Sequence, residues 1–578
     1  MLTKNYFEAL RDISESNTKS LTQSDIDFLI SGGYILADYS ITQKGQDELN
    51  SFKVDNAIIL AAGMSTRFVP VSYELPKGLI SVKGEVLIER IIKQLHDAGV
   101  QEIVVVVGYM MEKFLYLRDK YKVKLVVNNE YASKNTHSSI YVARDYLKNT
   151  YICCSDNYYP ENPFHQYEYH AYYCSIFLPG ISYVERAFTY DENDLIIDTN
   201  KPSHDQWIMY GHAYYDKEFS KNFKPILKSY YGRPGVENMY WENVYAENLD
   251  KLPMYIKRVN ETDILEFDSM AELKLYDPDF IKHNKIKVFE NICKTLNCEI
   301  SDISDIEVIK KGLNNRSFKF SCKGKYYVYR HPGINASGII DRKKEAISLN
   351  IAKQLGVDTT LVHVDETEGW KISSFVDTTE DFDFTNQKHI SMLASRLKAL
   401  HSSNIQVDFS FDYYKESDSL INYIKRIDST TFNTLDSLRT RILPIVEYLK
   451  ADPWQHSICH NDIYEPNLLV CNEELQLIDW EFAGNSDIGY DICKLFTMNN
   501  PQLDEVDKWL VYYYGRNTSL EEKLHLFACA SMIYYYWFVW SVYESKNAGQ
   551  ASEYMMGWFD RMNHYVDITL KYIDNKRG

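Results

Sequence analysis

The segment Leu60-Ala61-Ala62-Gly63-Met64-Ser65-Thr66-Arg67 continues an apolar run, NAIILAAG, without a break. Ala61, Ala62 and Gly63 carry no bulk, so backbone N–H groups there can approach a phosphate and a base closely. Arg67 can neutralise triphosphate charge, and Lys77 in LPKGL stands where a second cation helps. A second set is Ile458-Cys459-His460-Asn461-Asp462-Ile463-Tyr464-Glu465-Pro466-Asn467, followed by Leu477-Ile478-Asp479-Trp480-Glu481. Near the C-terminus, Trp537 and Trp540 form a W-x-x-W pair that shares one face of a helix.

The surrounding text predicts the elements that position these groups. NAIILAAG, EIVVVVGYM and KLVVNNEY read as buried strands, and IERIIKQLHDAGV reads as a helix ending at Gly99. Strands alternating with helices predict a mainly parallel α/β sheet over residues 54 to about 275. DPDFIKHNKIKVFENICKTL reads as a helical linker. EVIKKGLNNRSFKFSCKGKYYVYRHPG then has an antiparallel pattern, and long helices follow to the end. Residues 1–52 read as a small helical module in which Ser24 caps a helix and YSITQKGQDEL resembles the wing and last helix of a winged helix-turn-helix. The division expected is 1–52, 53–278 and 279–578.

The chain has 578 residues and a formal charge of −18, which argues against a general nucleic-acid binder. The N-terminal module is acidic and poor in Arg and Lys, so docking is favoured over DNA reading. The ten Cys have no paired spacing, and the adjacent Cys153 and Cys154 read as reduced core thiols. No signal peptide and no stretch of 18 apolar residues is seen, so the expectation is a cytoplasmic protein without a membrane span. Homo-oligomerisation is left open.

The pattern LAAGxxxR with a downstream PKxL resembles the nucleotidyltransferases that make sugar-nucleotides and, more closely, the LicC-type CTP:phosphocholine cytidylyltransferases. Ser65 stands where such proteins usually have a second Gly. Gly108 and Tyr109 in VVGYM, and Asn135 and Ser139 in KNTHSSIY, extend the match. The resemblance implies a Rossmann-like fold that binds CTP through Leu60, Ala61, Ala62, Gly63, Ser65, Thr66, Gly108, Tyr109, Asn135 and Ser139. It implies catalytic Arg67 and Lys77, and Mg2+ held by Asp156, Glu266 and Asp268. A trimethylammonium group is best held by aromatic faces beside a carboxylate; the candidates are Trp207, Tyr210, Tyr240 and Trp241, with Glu242 nearby, and each also reads as an ordinary core aromatic.

The second set resembles the catalytic loop and metal Asp of the kinase-like fold in its small-molecule form, the choline kinase and aminoglycoside phosphotransferase type, and in particular LicA-type choline kinases. This implies that Asp462 orients or deprotonates the attacking hydroxyl and that Asn467 and Asp479 hold Mg2+. It also implies ATP binding through Asn315 in GLNNRSF and through Arg330, which occupies the usual Lys position and pairs with Glu345. Choline would be held by Trp537, Trp540 and Trp558, with Glu481 adding negative charge; the same Trp residues also read as a packing seam.

Taken together, these resemblances imply ATP-dependent phosphorylation of choline followed by CTP-dependent conversion of phosphocholine to CDP-choline. Three rivals stay open: the same folds acting on ethanolamine; a sugar-nucleotide pyrophosphorylase fused to an aminoglycoside-type kinase; and a DNA-binding regulator with degenerate enzyme domains.

Overall fold

The computed structural model describes residues 2–16, 21–180, 187–199, 206–309, 316–332, 341–548 and 554–577. Asn315, expected at the ATP site, lies outside them. The chain divides into two compact units, residues 1–291 and 292–578. The expected boundary at 278 falls inside the first unit for a physical reason. Asp277 accepts from the Lys83 N–H at 2.6 Å, the Asn284 side chain brackets Ser81 at 2.6 and 2.8 Å, and Glu74 accepts from the Lys287 and Val288 N–H groups at 2.9 and 2.6 Å.

In the first unit, strands Lys124–Val127, Glu102–Val107, Asn56–Ala61 and Thr150–Cys154 lie side by side and parallel. Strand Gln206–Tyr215 adds antiparallel to the last of these and carries the rest of a nine-stranded sheet. Asn56–Ala61 is buried along its whole length, as a strand covered on both faces must be. Helix Leu87–Asp97 covers one side, and helices Thr136–Ala143, Lys217–Tyr230 and Trp241–Ala246 cover the other.

The N-terminal module has helices Lys4–Ser14, Gln23–Ser31 and Gln43–Asn50 and a bridge between Ile35 and Ile41. The cap expected at Ser24 is instead Thr22, which forms a capping box with Asp25. The module is docked onto the sheet domain. Phe7 and Phe52 pack on Tyr169, Arg11 reaches Glu168 at 3.7 Å, and Glu15 meets His165 at 2.6 Å.

The second unit opens with a five-stranded antiparallel sheet in the order Ile303–Ile309, Arg316–Cys322, Lys325–His331, Lys371–Ser374, Leu361–Val364. A helical lobe follows, built on Gln387–His401, Tyr413–Ile427, Ser429–Ala451, Leu520–Ala548 and Met555–Arg577. Its continuous core includes Trp480, Phe527, Tyr535 and Tyr565. One correction concerns Leu520–Lys546. That stretch is long and apolar enough to cross a membrane by length and composition, yet 78% of its most apolar window is buried inside the protein. It is the central helix of the lobe. None of the ten cysteines is in a disulfide.

Candidate active sites

The first site grows from the end of strand Asn56–Ala61. Leu60, Ala61 and Ala62 are buried, so they can present only backbone to a ligand, whereas Gly63, Thr66 and Arg67 are exposed. Ser65 takes a left-handed conformation, φ 51°. The turn is laced to its neighbours: the Tyr109 N–H donates to Ala62 O at 3.1 Å and the Ser155 N–H to Leu60 O at 3.0 Å. Gly108 is required because a Cβ there would stand 2.8 Å from the Tyr131 side chain. Tyr109 is itself buried, its hydroxyl donating to Ser72 O at 2.7 Å.

Lys77 and Asp156 meet at 2.8 Å. Glu266 is registered opposite Asn157, which places it beside Asp156. Arg67 reaches Asp268 at 3.3 Å, both side chains being mostly exposed. Burial pulls Lys77 down, but Asp156, then Glu266 and Asp268, hold it above the usual lysine range. The Tyr210 hydroxyl accepts from the Glu266 N–H at 3.0 Å, which brings that ring to the same carboxylates. Burial is the main reason that its phenol is pushed up to about 12. Arg67, Lys77, Asp156, Tyr210, Glu266 and Asp268, distant in sequence, thus converge. Three oxygen acids facing two cations form a donor set that fits Mg2+ and a polyphosphate.

Several expected members are placed elsewhere. Trp241 is 2% exposed, stacked on Tyr173 at 5.5 Å and edge-on to Tyr215, so core packing claims its faces. Glu242 accepts from the Tyr173 hydroxyl at 3.0 Å. Trp207 lies under Arg258 and against Phe177. Tyr240 is the half-buried N-cap residue of helix Trp241–Ala246. Asn135 caps helix Thr136–Ala143, its side chain accepting from the Thr136 N–H. Ser139 is buried and accepts from the Asn128 amide at 3.1 Å, so it holds the helix rather than opening to a ligand.

The second site centres on the loop after strand His456–Cys459. Asp491 accepts from the His460 and Asn461 N–H groups at 2.8 and 2.9 Å and pins the loop from behind. His460 bonds Ile478 O at 2.9 Å, which ties the loop to the strand end carrying Asp479. Asn461 and Asp479 both have positive φ, 64° and 70°. Burial pushes the Asp462 carboxyl up, to about 8, and the nearby Asp479 adds to this. Asp479 Oδ1 is buried without a hydrogen bond among the described residues. Carboxylate oxygens of Asp479, Glu345 and Glu481 lie within 4.8 Å of one another, and a buried acceptor left open in this way fits a hard divalent cation.

Arg330 is paired with both oxygens of Glu345, with Glu481 at 3.1 Å and with Asp479 at 3.7 Å. Arg342, which sequence reasoning missed, joins the same cluster at 2.9 Å from Glu345 and 3.1 Å from Glu481. Its only signal was the three-residue spacing from Glu345 on one helix. Glu481 therefore serves two guanidinium groups and is corrected from its expected place beside an ammonium ion.

The aromatic cluster is present. Trp537 lies 5.6 Å from Trp540 and 5.7 Å from Trp558, and Tyr554 lies 5.7 Å from Trp558. Phe482, next to Glu481, packs on Trp537 at 5.5 Å and so connects the cluster to the carboxylates. Burial first, then Asp462, Asp479 and Tyr554, push the Tyr464 phenol up. Phe482 had no local motif that marked it.

Fold and geometry together define a nucleotidyltransferase unit followed by a phosphotransferase unit of the kinase type. Residues 57–162 match the MobA-like NTP transferase domain, and residues 306–509 match the choline/ethanolamine kinase family. A choline-phosphate cytidylyltransferase of Streptococcus pneumoniae is 30% identical over 221 residues, covering 38% of this chain and 95% of that protein. A 2-aminoethylphosphonate cytidylyltransferase of Lancefieldella rimae is 36% identical over 230 residues, covering 39% and 93%. The crystal structure of choline kinase LicA from Streptococcus pneumoniae is 20% identical with a TM-score of 0.42, covering 50% of this chain and 100% of that one. The chain belongs to the cytidylyltransferase family of the first two relatives, and residues 306–509 of its second unit match the choline/ethanolamine kinase model.

Proposed function

We propose that this protein phosphorylates choline with ATP and then couples the phosphocholine to CTP, releasing diphosphate and CDP-choline. The observation that carries this reading is the Trp537–Trp540–Trp558 cluster, joined through Phe482 to the Asp479–Glu481 segment, in a chain that also holds the Lys77–Asp156–Glu266 site. Three indoles clustered at 5.6–6.3 Å offer aromatic faces that suit a quaternary ammonium, which can make no hydrogen bond.

In the kinase unit, Asp462 takes the proton of the choline hydroxyl as that oxygen attacks the γ-phosphorus of ATP. Arg330, whose terminal N–H groups are taken by Glu345, Glu481 and Gly369 O, keeps a permanent positive charge beside Asp479 and so favours phosphate there. In the cytidylyltransferase unit, the phosphate oxygen of phosphocholine attacks the α-phosphorus of CTP. Lys77 and Arg67 neutralise the triphosphate, the turn at Ala61–Gly63 offers backbone donors, and no covalent enzyme intermediate is required. Mg2+, held by Asp156, Glu266 and Asp268 in one unit and by Asn467 and Asp479 in the other, would supply charge neutralisation at phosphate oxygens.

A second reading of the first unit has its own support. The Lancefieldella rimae relative is named for 2-aminoethylphosphonate, and Trp241 is unavailable to a quaternary ammonium. The deciding experiment offers choline and ethanolamine with ATP, and phosphocholine, phosphoethanolamine and 2-aminoethylphosphonate with CTP, with product masses read. Phosphocholine and CDP-choline as dominant products support the proposal. Preferred cytidylylation of 2-aminoethylphosphonate replaces it for the first unit.

A further inference from the structure

A group of three thiols lies apart from both sites. Helix Lys287–Leu296 ends with Asn297 in the left-handed region, φ 48°, and the Cys298 N–H returns to Cys293 O at 3.1 Å. This is the Schellman arrangement, whose geometry brings the side chains at these two positions together. Here both are cysteines, and both are partly exposed. The third, Cys322, is buried at the end of strand Arg316–Cys322, opposite Lys325 across a tight turn. The turn residue Lys323 donates through Nζ to Asn297 O at 2.6 Å, so the hairpin tip is fastened to the helix end. As a result, the Cys298 thiol interacts with those of both Cys293 and Cys322.

We propose that Cys293, Cys298 and Cys322 form a thiol–disulfide site in which Cys298 is the shared partner. An oxidant of the diazene or low-molecular-weight disulfide class takes two electrons and two protons from Cys293 and Cys298 and leaves one S–S bond. A diazene is thereby reduced to a hydrazine, and a disulfide to two thiols. The Cys322 thiolate can then attack Cys298 Sγ and displace the Cys293 thiolate, moving the bond without further oxidation. Burial raises all three thiols, Cys322 to about 11, so the site rests as thiols at neutral pH and reacts faster as pH rises. The movable bond would tie the helix end to the hairpin whose second strand carries Arg330.

The test treats the full chain with diamide at mildly alkaline pH, blocks remaining thiols with iodoacetamide, and maps disulfides by peptide mass before and after dithiothreitol. The expected result is a reducible link from Cys298 to Cys293 or Cys322. Cys293→Ser should leave only Cys298–Cys322, and Cys298→Ser should leave no link within the group. Full alkylation of Cys298 after diamide, or a Cys298 link to a cysteine outside the three, overturns the proposal. A Cys293–Cys322 link at wild-type yield in Cys298→Ser removes Cys298 as the shared partner. Circular dichroism of each variant before oxidation confirms that folded protein is compared.

Discussion

The side-chain amide of Asn467 donates to both the main-chain carbonyl and the carboxylate of Asp462, at 2.9 and 3.1 Å. One residue thereby fixes both the path of the loop and the direction of its acid. Asp462→Asn keeps the shape but loses the proton acceptor, so choline phosphorylation should fall by about 10²–10⁴. CTP-dependent turnover of supplied phosphocholine should remain at wild-type level. Loss of both activities in a folded variant would contradict two independent sites.

The converse loss is expected from Asp156→Ala or Asp268→Ala, which should abolish diphosphate release from CTP and spare the kinase. Gly78→Ala is a subtler probe of the same site. A Cβ there would lie 2.6 Å from Ser155 Oγ, next to Asp156, and would push Lys77 off its partner. Cytidylyl transfer should drop at least tenfold with ATP turnover unchanged. Wild-type rates would show that the Lys77–Asp156 contact is not needed.

Trp537 is half-buried whereas Trp540 is 4% exposed, so the two indoles should respond differently to replacement by Leu. A cation–π contact is worth roughly 0.5–2 kcal/mol, or about two- to thirtyfold in binding. Trp537→Leu should raise the choline KM by that factor with little change in the ATP KM or Tm. Trp540→Leu should lower Tm as well, because it also opens a gap in the helical core. An unchanged choline KM in both variants would reduce the cluster to a packing seam.

Arg11 of the N-terminal module joins Lys257 beside the buried Glu168. Burial pushes that carboxyl up, but Lys257, His165 and Arg11 together bring it down to about 2. A folded value depressed below the ordinary glutamate range means that this group contributes stability above that range. The contribution is lost as pH falls toward about 2. Arg11→Met should cost about 1–3 kcal/mol near neutral pH, since Lys257 and the Tyr151 and Tyr172 hydroxyls still hold the carboxylate. Thermal melts of the variant and wild type should converge as pH is lowered below about 4. Equal Tm at pH 7 would mean that the module adds nothing to the sheet domain.

Residue types at short, fixed spacing were decided by the sequence alone. The bulk-free Ala61-Ala62-Gly63 turn after a buried strand, the Asp462–Asn467 pair with Asp479 at hairpin distance, and the Trp537–Trp540 face of one helix are local patterns. Secondary structure alone is enough to place their members together. The parallel strands were legible for the same reason, since strands buried on both faces read as unbroken apolar runs.

Partnership between residues far apart in the chain was decided only by the tertiary structure. Glu481 stands beside the metal-ligand candidate Asp479, yet two guanidinium groups from Arg330 and Arg342 claim it. Trp241 has an aromatic neighbourhood in sequence, but Tyr173 and Tyr215 close over it in the core. Residues 277–288 look like linker, but they hydrogen-bond back to Ser81, Lys83 and Glu74. Each outcome depends on which charge or ring folding brings within a few ångströms, and a desolvated side chain takes the nearest partner that compensates it.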